Sequence, residues 1–190
     1  MDRAEAVLKA IENEGAKNFL PIIGPEKGEY LDRAVLQARP KRVLEIGTLV
    51  GYSAIRMARL LPEDGKITCV ERDRSYAKIA RKNFVRAGLS DRIEIIVGDA
   101  KKVLATLTGE LDLVFIDATK DEYFMYLKLV EPRLHKGSVV VADNVGVYAD
   151  SMKDFLDYVS HSGKYKSVYH ESILEFHPGI KDGVEVSIRL

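Results

Sequence analysis

The stretch Arg42-Val43-Leu44-Glu45-Ile46-Gly47-Thr48-Leu49-Val50-Gly51-Tyr52-Ser53 decides the fold. A short β-branched run leaves through a glycine into a segment of helical periodicity, the pattern of a buried parallel strand handing over to a crossover helix. The same pattern recurs downstream. Residues 67–70, 93–97, 113–116 and 138–142 read as further strands, with helices expected over 52–60, 75–87, 101–107 and 122–134. Several of these helices run up to a glycine, such as Gly88 or Gly137, the residue that most readily takes the left-handed conformation ending a helix. Strand, helix and strand in repetition predict an α/β fold, a parallel sheet with helices on both faces. After Asp150 the pattern changes: one helix over 152–159, then strand-like runs at 167–176 and 184–190 around Pro178-Gly179 and Asp182-Gly183. This predicts a C-terminal antiparallel hairpin, which completes a seven-stranded, mostly parallel sheet. Upstream, amphipathic helices over 3–13 and 28–38 flank a non-helical stretch at 21–25 and make residues 1–40 a helical cap region.

At ~150 residues per domain, a chain of 190 residues is expected to form one domain, spanning 1–190. Its 46% hydrophobic content with 14 Gly and 6 Pro excludes disordered and collagen-like classes. Lys plus Arg equals Asp plus Glu at 29 each, so no basic excess points to nucleic acid or an anionic membrane as a partner. The single cysteine, Cys69, can form no intrachain disulfide or cysteine zinc cluster and is expected in the core. No apolar segment has the length of a signal peptide core or a membrane span, so a cytoplasmic protein is expected.

In an open parallel sheet the ligand crevice lies beyond the carboxyl ends of the strands. The residues leaving the five strands are Glu45-Ile46-Gly47, Glu71, Asp99, Asp117 and Asp143-Asn144, an acid at every exit. One such acid is ordinarily a helix cap; the same choice at every exit suggests a pocket. The loop after the first strand lacks both the G-x-G-x-x-G of dinucleotide folds and the Gly-Lys-Ser/Thr of phosphate loops. Glu71, 24 positions after Gly47, suits a ribose held through its hydroxyls, so a nucleoside without pyrophosphate fits best. S-adenosylmethionine is such a cofactor, and Asp99-Ala100 can meet its adenine through a carboxylate and a backbone amide. Asp117, Asp143 and Asn144 offer oxygen ligands only, the choice of Mg²⁺ or a similar hard cation and not of zinc. Lys120, three residues beyond Asp117, reads either as a surface lysine beside Asp121 and Glu122 or as a general base for a metal-bound hydroxyl. The basic series Lys78, Arg81, Lys82 and Arg86 reads as a solvated helix face. Of the histidines, His177 follows Glu175 by two and is expected on the same strand face.

Val43-Leu44-Glu45-Ile46-Gly47-Thr48, Gly51-Tyr52-Ser53-Ala54, Phe115-Ile116-Asp117-Ala118-Thr119-Lys120-Asp121-Glu122-Tyr123 and Val141-Ala142-Asp143-Asn144-Val145 together resemble the cation-dependent O-methyltransferases typified by the catechol and caffeoyl-CoA enzymes. The resemblance runs from about Ile23 to Leu190 and implies a Rossmann-like class I methyltransferase fold. It implies Mg²⁺ (or Mn²⁺ or Ca²⁺) on Asp117, Asp143 and Asn144, with Lys120 as the catalytic base. It places Ser53 on the methionyl carboxylate, Ile23 beside the methionyl chain, Glu71 on the ribose and Asp99-Ala100 near adenine, with Glu45, Gly47 and Asp117 completing the cofactor's surroundings. Glu175 falls where a carboxylate meets a substrate hydroxyl. A small hydroxylated aromatic acceptor and a homodimer are implied. The chain has no Trp where the catechol enzymes line their slot; Thr119 and Leu20-Pro21 stand there, and Ala118 replaces a histidine. Another branch of the family methylates wobble hydroxyuridine of tRNA, the alternative for this chain. A module that holds S-adenosylmethionine without turnover is a third reading, which the coexistence of Lys120, Glu175 and the ligand triad disfavours.

Overall fold

Along β4 (Leu111–Ile116), Leu113 and Phe115 join one buried cluster and Val114 and Ile116 the other. The alternation comes from the two-residue period of a strand, and it sorts the sheet's side chains into two cores. Leu113, Phe115, Val114 and Ile116 are all 0% exposed. At about 1.5–3 kcal/mol for each large apolar side chain fully buried, this double burial holds the middle of the sheet, which is why these strands read as unbroken apolar runs.

The computed structural model describes residues 2–190. Around β4 lie β1 (Arg42–Ile46), β2 (Lys66–Glu71), β3 (Ile93–Val97), β5 (Leu134–Ala142), β6 (Tyr165–Ile173) and β7 (Lys181–Arg189). Their spatial order is β3-β2-β1-β4-β5-β7-β6. The first five strands pair in parallel, and β7 runs antiparallel to both β5 and β6. One face is covered by α1 (Arg3–Asn18), α2 (Gly24–Ala38), α3 (Tyr52–Ala58) and α4 (Arg74–Ala87). The other is covered by α5 (Ala100–Thr106), α6 (Tyr123–Val130) and α7 (Lys153–His161). The fold class is therefore the expected one. Strand order reverses between β1 and β4, the switch point at which parallel sheets open a crevice.

Several boundaries differ from expectation; β7, expected from 184, already begins at Lys181, which places the expected turn residues Asp182-Gly183 in the strand, and four others have a local reason. The first helix runs on to Asn18, because Ala4, Val7, Leu8, Ile11 and Gly15 keep a buried stripe along it. The second starts at Gly24, with Pro25 in its first turn, where a missing N–H costs nothing. The helix expected to reach residue 134 stops at Val130: Pro132 forces the 3₁₀ turn Glu131–Arg133, and β5 begins at once at Leu134. Strand β6 ends at Ile173, so Glu175 and His177 sit in the connection to β7 and share no strand face. The His177 ring instead stands edge-on to Phe19, centroids 5.2 Å apart, and its Nδ1 lies 3.1 Å from the Glu175 carbonyl. Cys69 is buried in the core, as expected. No helix among the described residues is long and apolar enough to cross a membrane.

Candidate active site

The exits of β1, β2, β4 and β5 meet at one end of the sheet. Gly47, leaving β1, has φ +90°, and a Cβ there would lie 2.0 Å from the Asp117 carbonyl oxygen. Only glycine lets the loop press this closely on the exit of β4. The following amides are fastened by Glu71: its Oε2 accepts from Thr48 N at 3.2 Å and Leu49 N at 2.8 Å, while Oε1 accepts from Asp73 N at 2.8 Å. Leu49 is thereby held at φ +49°. Phe19 and Asn144 also have positive φ, and all three line the same cavity. Such strain costs of order 1–3 kcal/mol per residue and gathers where the surrounding structure fixes a site.

That cavity has a volume of about 580 Å³. Its walls carry Ile23, Gly47, Ser53, Glu71, Asp99, Ala100, Asp117, Lys120, Asp143, Asn144 and Glu175. Asp99 also caps α5, accepting from Lys102 N at 3.3 Å. At the other end, Lys120 Nζ lies 2.6 Å from Asp117 Oδ1 and donates to Tyr123 Oη at 3.0 Å; Tyr123 in turn donates to the Asp143 carbonyl at 3.1 Å. Burial, helped by the charges of Asp117 and Asp143, pushes the Tyr123 phenol well above its ordinary range, so it stays a proton donor. Glu175 packs its carboxylate on the bare backbone of Gly24, where a Cβ would lie 1.9 Å from Oε2. Burial raises the Glu175 carboxyl above its ordinary value against the pull of Lys27.

Glu45 departs from expectation. It is 0% exposed and forms no part of the cavity wall. Lying behind the β1–α3 loop, it accepts from Thr48 Oγ1 at 2.8 Å and from Ser53 Oγ at 2.5 Å, and burial pushes its carboxyl up to about 7. Its place is beneath the loop that leaves β1, where it fixes two hydroxyls. Sequence reasoning also passed over Phe19, Leu49, Arg72, Tyr126 and Tyr148, which line the cavity. Phe19 and Tyr148 come from connections whose path depends on tertiary packing.

Two further residues went unread. Lys27 is 1% exposed, with its ammonium 2.7 Å from Asp143 Oδ1 and 2.7 Å from Asp182 Oδ2. Its signal was a lysine in the buried stripe Gly24, Lys27, Gly28, Leu31 of α2. Asp182, read as a turn residue, is 0% exposed. No three His, Cys, Asp or Glu side chains among the described residues form a metal cluster. The oxygen set at the exits of β4 and β5 has two carboxylates and one amide, and it fits a hard divalent cation. Asp143 and Asn144 belong to the same wall as Asp117, because Ile116 pairs with Ala142 across β4 and β5. Asp143 Oδ1 is engaged from behind by the buried Lys27 ammonium at 2.7 Å.

Comparison with known proteins agrees with this geometry. The profile of the O-methyltransferase family matches residues 2–161. The chain is 37% identical over 198 aligned positions to catechol O-methyltransferase B of Danio rerio, covering 98% of this chain and 72% of that one. It is 35% identical over 192 positions to catechol O-methyltransferase of Mus musculus, covering 97% and 71%. The crystal structure of an O-methyltransferase from Bacillus cereus in complex with SAH superposes with a TM-score of 0.85 at 26% identity, covering 99% of this chain and 90% of that one. An acid-lined cavity at the switch point of a β3-β2-β1-β4-β5-β7-β6 sheet, the family profile and these relatives converge: the chain belongs to the O-methyltransferase family and is a methyltransferase.

Proposed function

We propose that this enzyme transfers the methyl group of S-adenosylmethionine to one hydroxyl of a catechol-like vicinal diol on a small aromatic molecule, and does so only with a divalent cation. The observation that carries the reading is that Lys120, Asp117, Asp143, Asn144 and Glu175 share one cavity with Glu71, Asp99 and Ala100. The acceptor and the cofactor ends therefore adjoin, as an in-line displacement requires.

Asp117, Asp143 and Asn144 would hold Mg²⁺, Mn²⁺ or Ca²⁺, which when bound acidifies the diol and orients its two oxygens. Lys120 takes the proton from the hydroxyl that is methylated. Tyr123, donating to the Asp143 carbonyl at 3.1 Å and lying 3.0 Å from Lys120 Nζ, holds the lysine at the cavity wall. Glu175 accepts from the second hydroxyl. At the far end Glu71 receives the ribose hydroxyls while keeping the Thr48 and Leu49 amides in line. Ile23 and Ser53 border the methionyl portion, and Asp99 with Ala100 the adenine. The balance of charge is consistent: a sulfonium and a divalent cation enter among acids supplied with few cations of their own. The hydroxyuridine alternative gains no support from the Danio rerio and Mus musculus relatives, which are catechol O-methyltransferases.

The test is transfer of labelled methyl from S-adenosylmethionine to catechol, caffeate and bulk tRNA, with Mg²⁺ and with excess chelator. Transfer to a diol that stops on chelation is expected. Equal turnover in chelator, or transfer to tRNA alone, refutes the proposal.

A further inference from the structure

Asp182 enters from the start of β7 and is used on every side. Its Oδ1 accepts from the backbone N–H of Gly146 at 3.2 Å and of Val147 at 3.1 Å. Its Oδ2 accepts from Lys27 Nζ at 2.7 Å and from Asn144 Nδ2 at 2.9 Å. A carboxylate that already accepts four donors has no proton to offer, so only the nitrogen end of the Asn144 amide can face it. The carbonyl end must then point away from Asp182. Lys27 spans the other gap, its ammonium 2.7 Å from both Asp182 and Asp143. The turn is pinned to β7 a second time by Val145 N donating to the Gly183 carbonyl at 3.1 Å. Gly146 permits this approach, because a Cβ there would lie 2.7 Å from the Asp182 backbone. Asn144 itself holds φ +61° within the pinned turn.

We propose that Asp182 and Lys27 form a buried clamp that positions the Asn144 and Asp143 side chains, fixing the Asn144 amide with its oxygen available to a divalent cation. Neither clamp residue lines the cavity; both are positioning residues that act through the two they hold. The inference rests on the reading of Asp117, Asp143 and Asn144 as cation ligands. Partners of this kind behind a metal ligand typically contribute about 10- to 100-fold in metal affinity.

Asp182→Asn keeps the shape and reverses one atom's role. With its oxygen retained by Gly146 and Val147, the new NH₂ faces both Asn144 and the Lys27 ammonium, which breaks the pair with Lys27 and turns the Asn144 amide over, aiming NH₂ where the cation needs oxygen. Mn²⁺ titration of the full chain, followed by electron paramagnetic resonance, should show at least tenfold weaker binding for D182N than for wild type. S-adenosylmethionine affinity should stay within about threefold, since the cofactor end is untouched. The swap Asp182→Asn with Asn144→Asp restores a donor–acceptor pair in the opposite sense and should regain most of the lost Mn²⁺ affinity. A measurement on wild type needs no variant to fold: the Asn144 side-chain NH₂ should be protected from hydrogen exchange both without and with Mg²⁺. D182N that binds the cofactor normally and Mn²⁺ within twofold of wild type overturns the clamp, as does an Asn144 amide that exchanges like an exposed one. Wild type without affinity for Mn²⁺ overturns the cation reading itself, and the clamp with it.

Discussion

Replacing Glu45 by glutamine should make stability less dependent on pH in a way whose sign follows from burial. Glu45 is fully enclosed, and its carboxyl is displaced from an ordinary 4.5 to about 7, chiefly by desolvation. The fold therefore favours the protonated form. Below pH 4.5 the group is protonated in folded and unfolded chains alike and has no pH-dependent effect. As pH rises toward 7, the unfolded chain releases this proton and the folded chain keeps it, so wild-type stability falls. Above that range the loss is constant at about 3 kcal/mol, taking ~1.4 kcal/mol per pH unit. The glutamine amide of E45Q cannot ionise and escapes this loss. It does forfeit one acceptor for the Ser53 and Thr48 hydroxyls, a pH-independent cost of about 1–2 kcal/mol. E45Q is thus expected to be less stable than wild type at pH 5 and more stable at pH 8. Urea unfolding of both proteins at four pH values, followed by circular dichroism, measures the difference directly. A difference that stays flat across this range refutes the reasoning, because every other titrating group is common to both proteins and cancels.

Three further outcomes are expected. Lys120→Met should lower kcat by about 10²–10⁴, the usual worth of a general base, while cofactor affinity measured calorimetrically stays within about twofold; retained turnover would remove Lys120 from the proton's path. Glu71→Gln should weaken S-adenosylmethionine binding by at least about tenfold, because charge-assisted bonds worth about 1.5–3 kcal/mol fasten the Thr48 and Leu49 amides and, on the function proposed above, the same carboxylate receives the ribose; an unchanged dissociation constant would contradict this. Gly24→Ala should displace Glu175, whose Oε2 lies 1.9 Å from the new Cβ, and should lose about 1–2 kcal/mol for the left-handed backbone; thermal unfolding and the KM for catechol both report on it, and an unaltered KM would mean that Glu175 does not touch the acceptor.

The fold was legible because its signal is local. A strand buried on both faces must be apolar at every position, as in Leu113–Ile116, and a crossover helix must show one apolar stripe, so each element announces itself within a few residues. Boundaries were less legible where one residue has two uses. Pro25 opens a helix and Pro132 ends one, and only the path of the chain around them separates the cases. The positions of the candidate site were legible for a similar reason, since a parallel sheet forces its strand exits to one edge whatever the loops do.

The sequence by itself determined the order of strands and helices and the acids at the strand exits, because periodicity and exit position are properties of short segments. Tertiary structure alone decided what those residues do to one another. Glu45 reads like its neighbours at the other exits, but packing buries it beneath the loop, where it holds Thr48 and Ser53 instead of facing the cavity. Glu175 reads as a strand residue and lies in a connection, braced on Gly24 from a helix 151 positions away. Lys27 and Asp182, 155 positions apart, meet at 2.7 Å only because α2 and the start of β7 pack at the same end of the sheet. Hydrogen bonds and ion pairs act over a few ångströms of space and leave no period in the chain, so the partners of a buried charge had to await the fold.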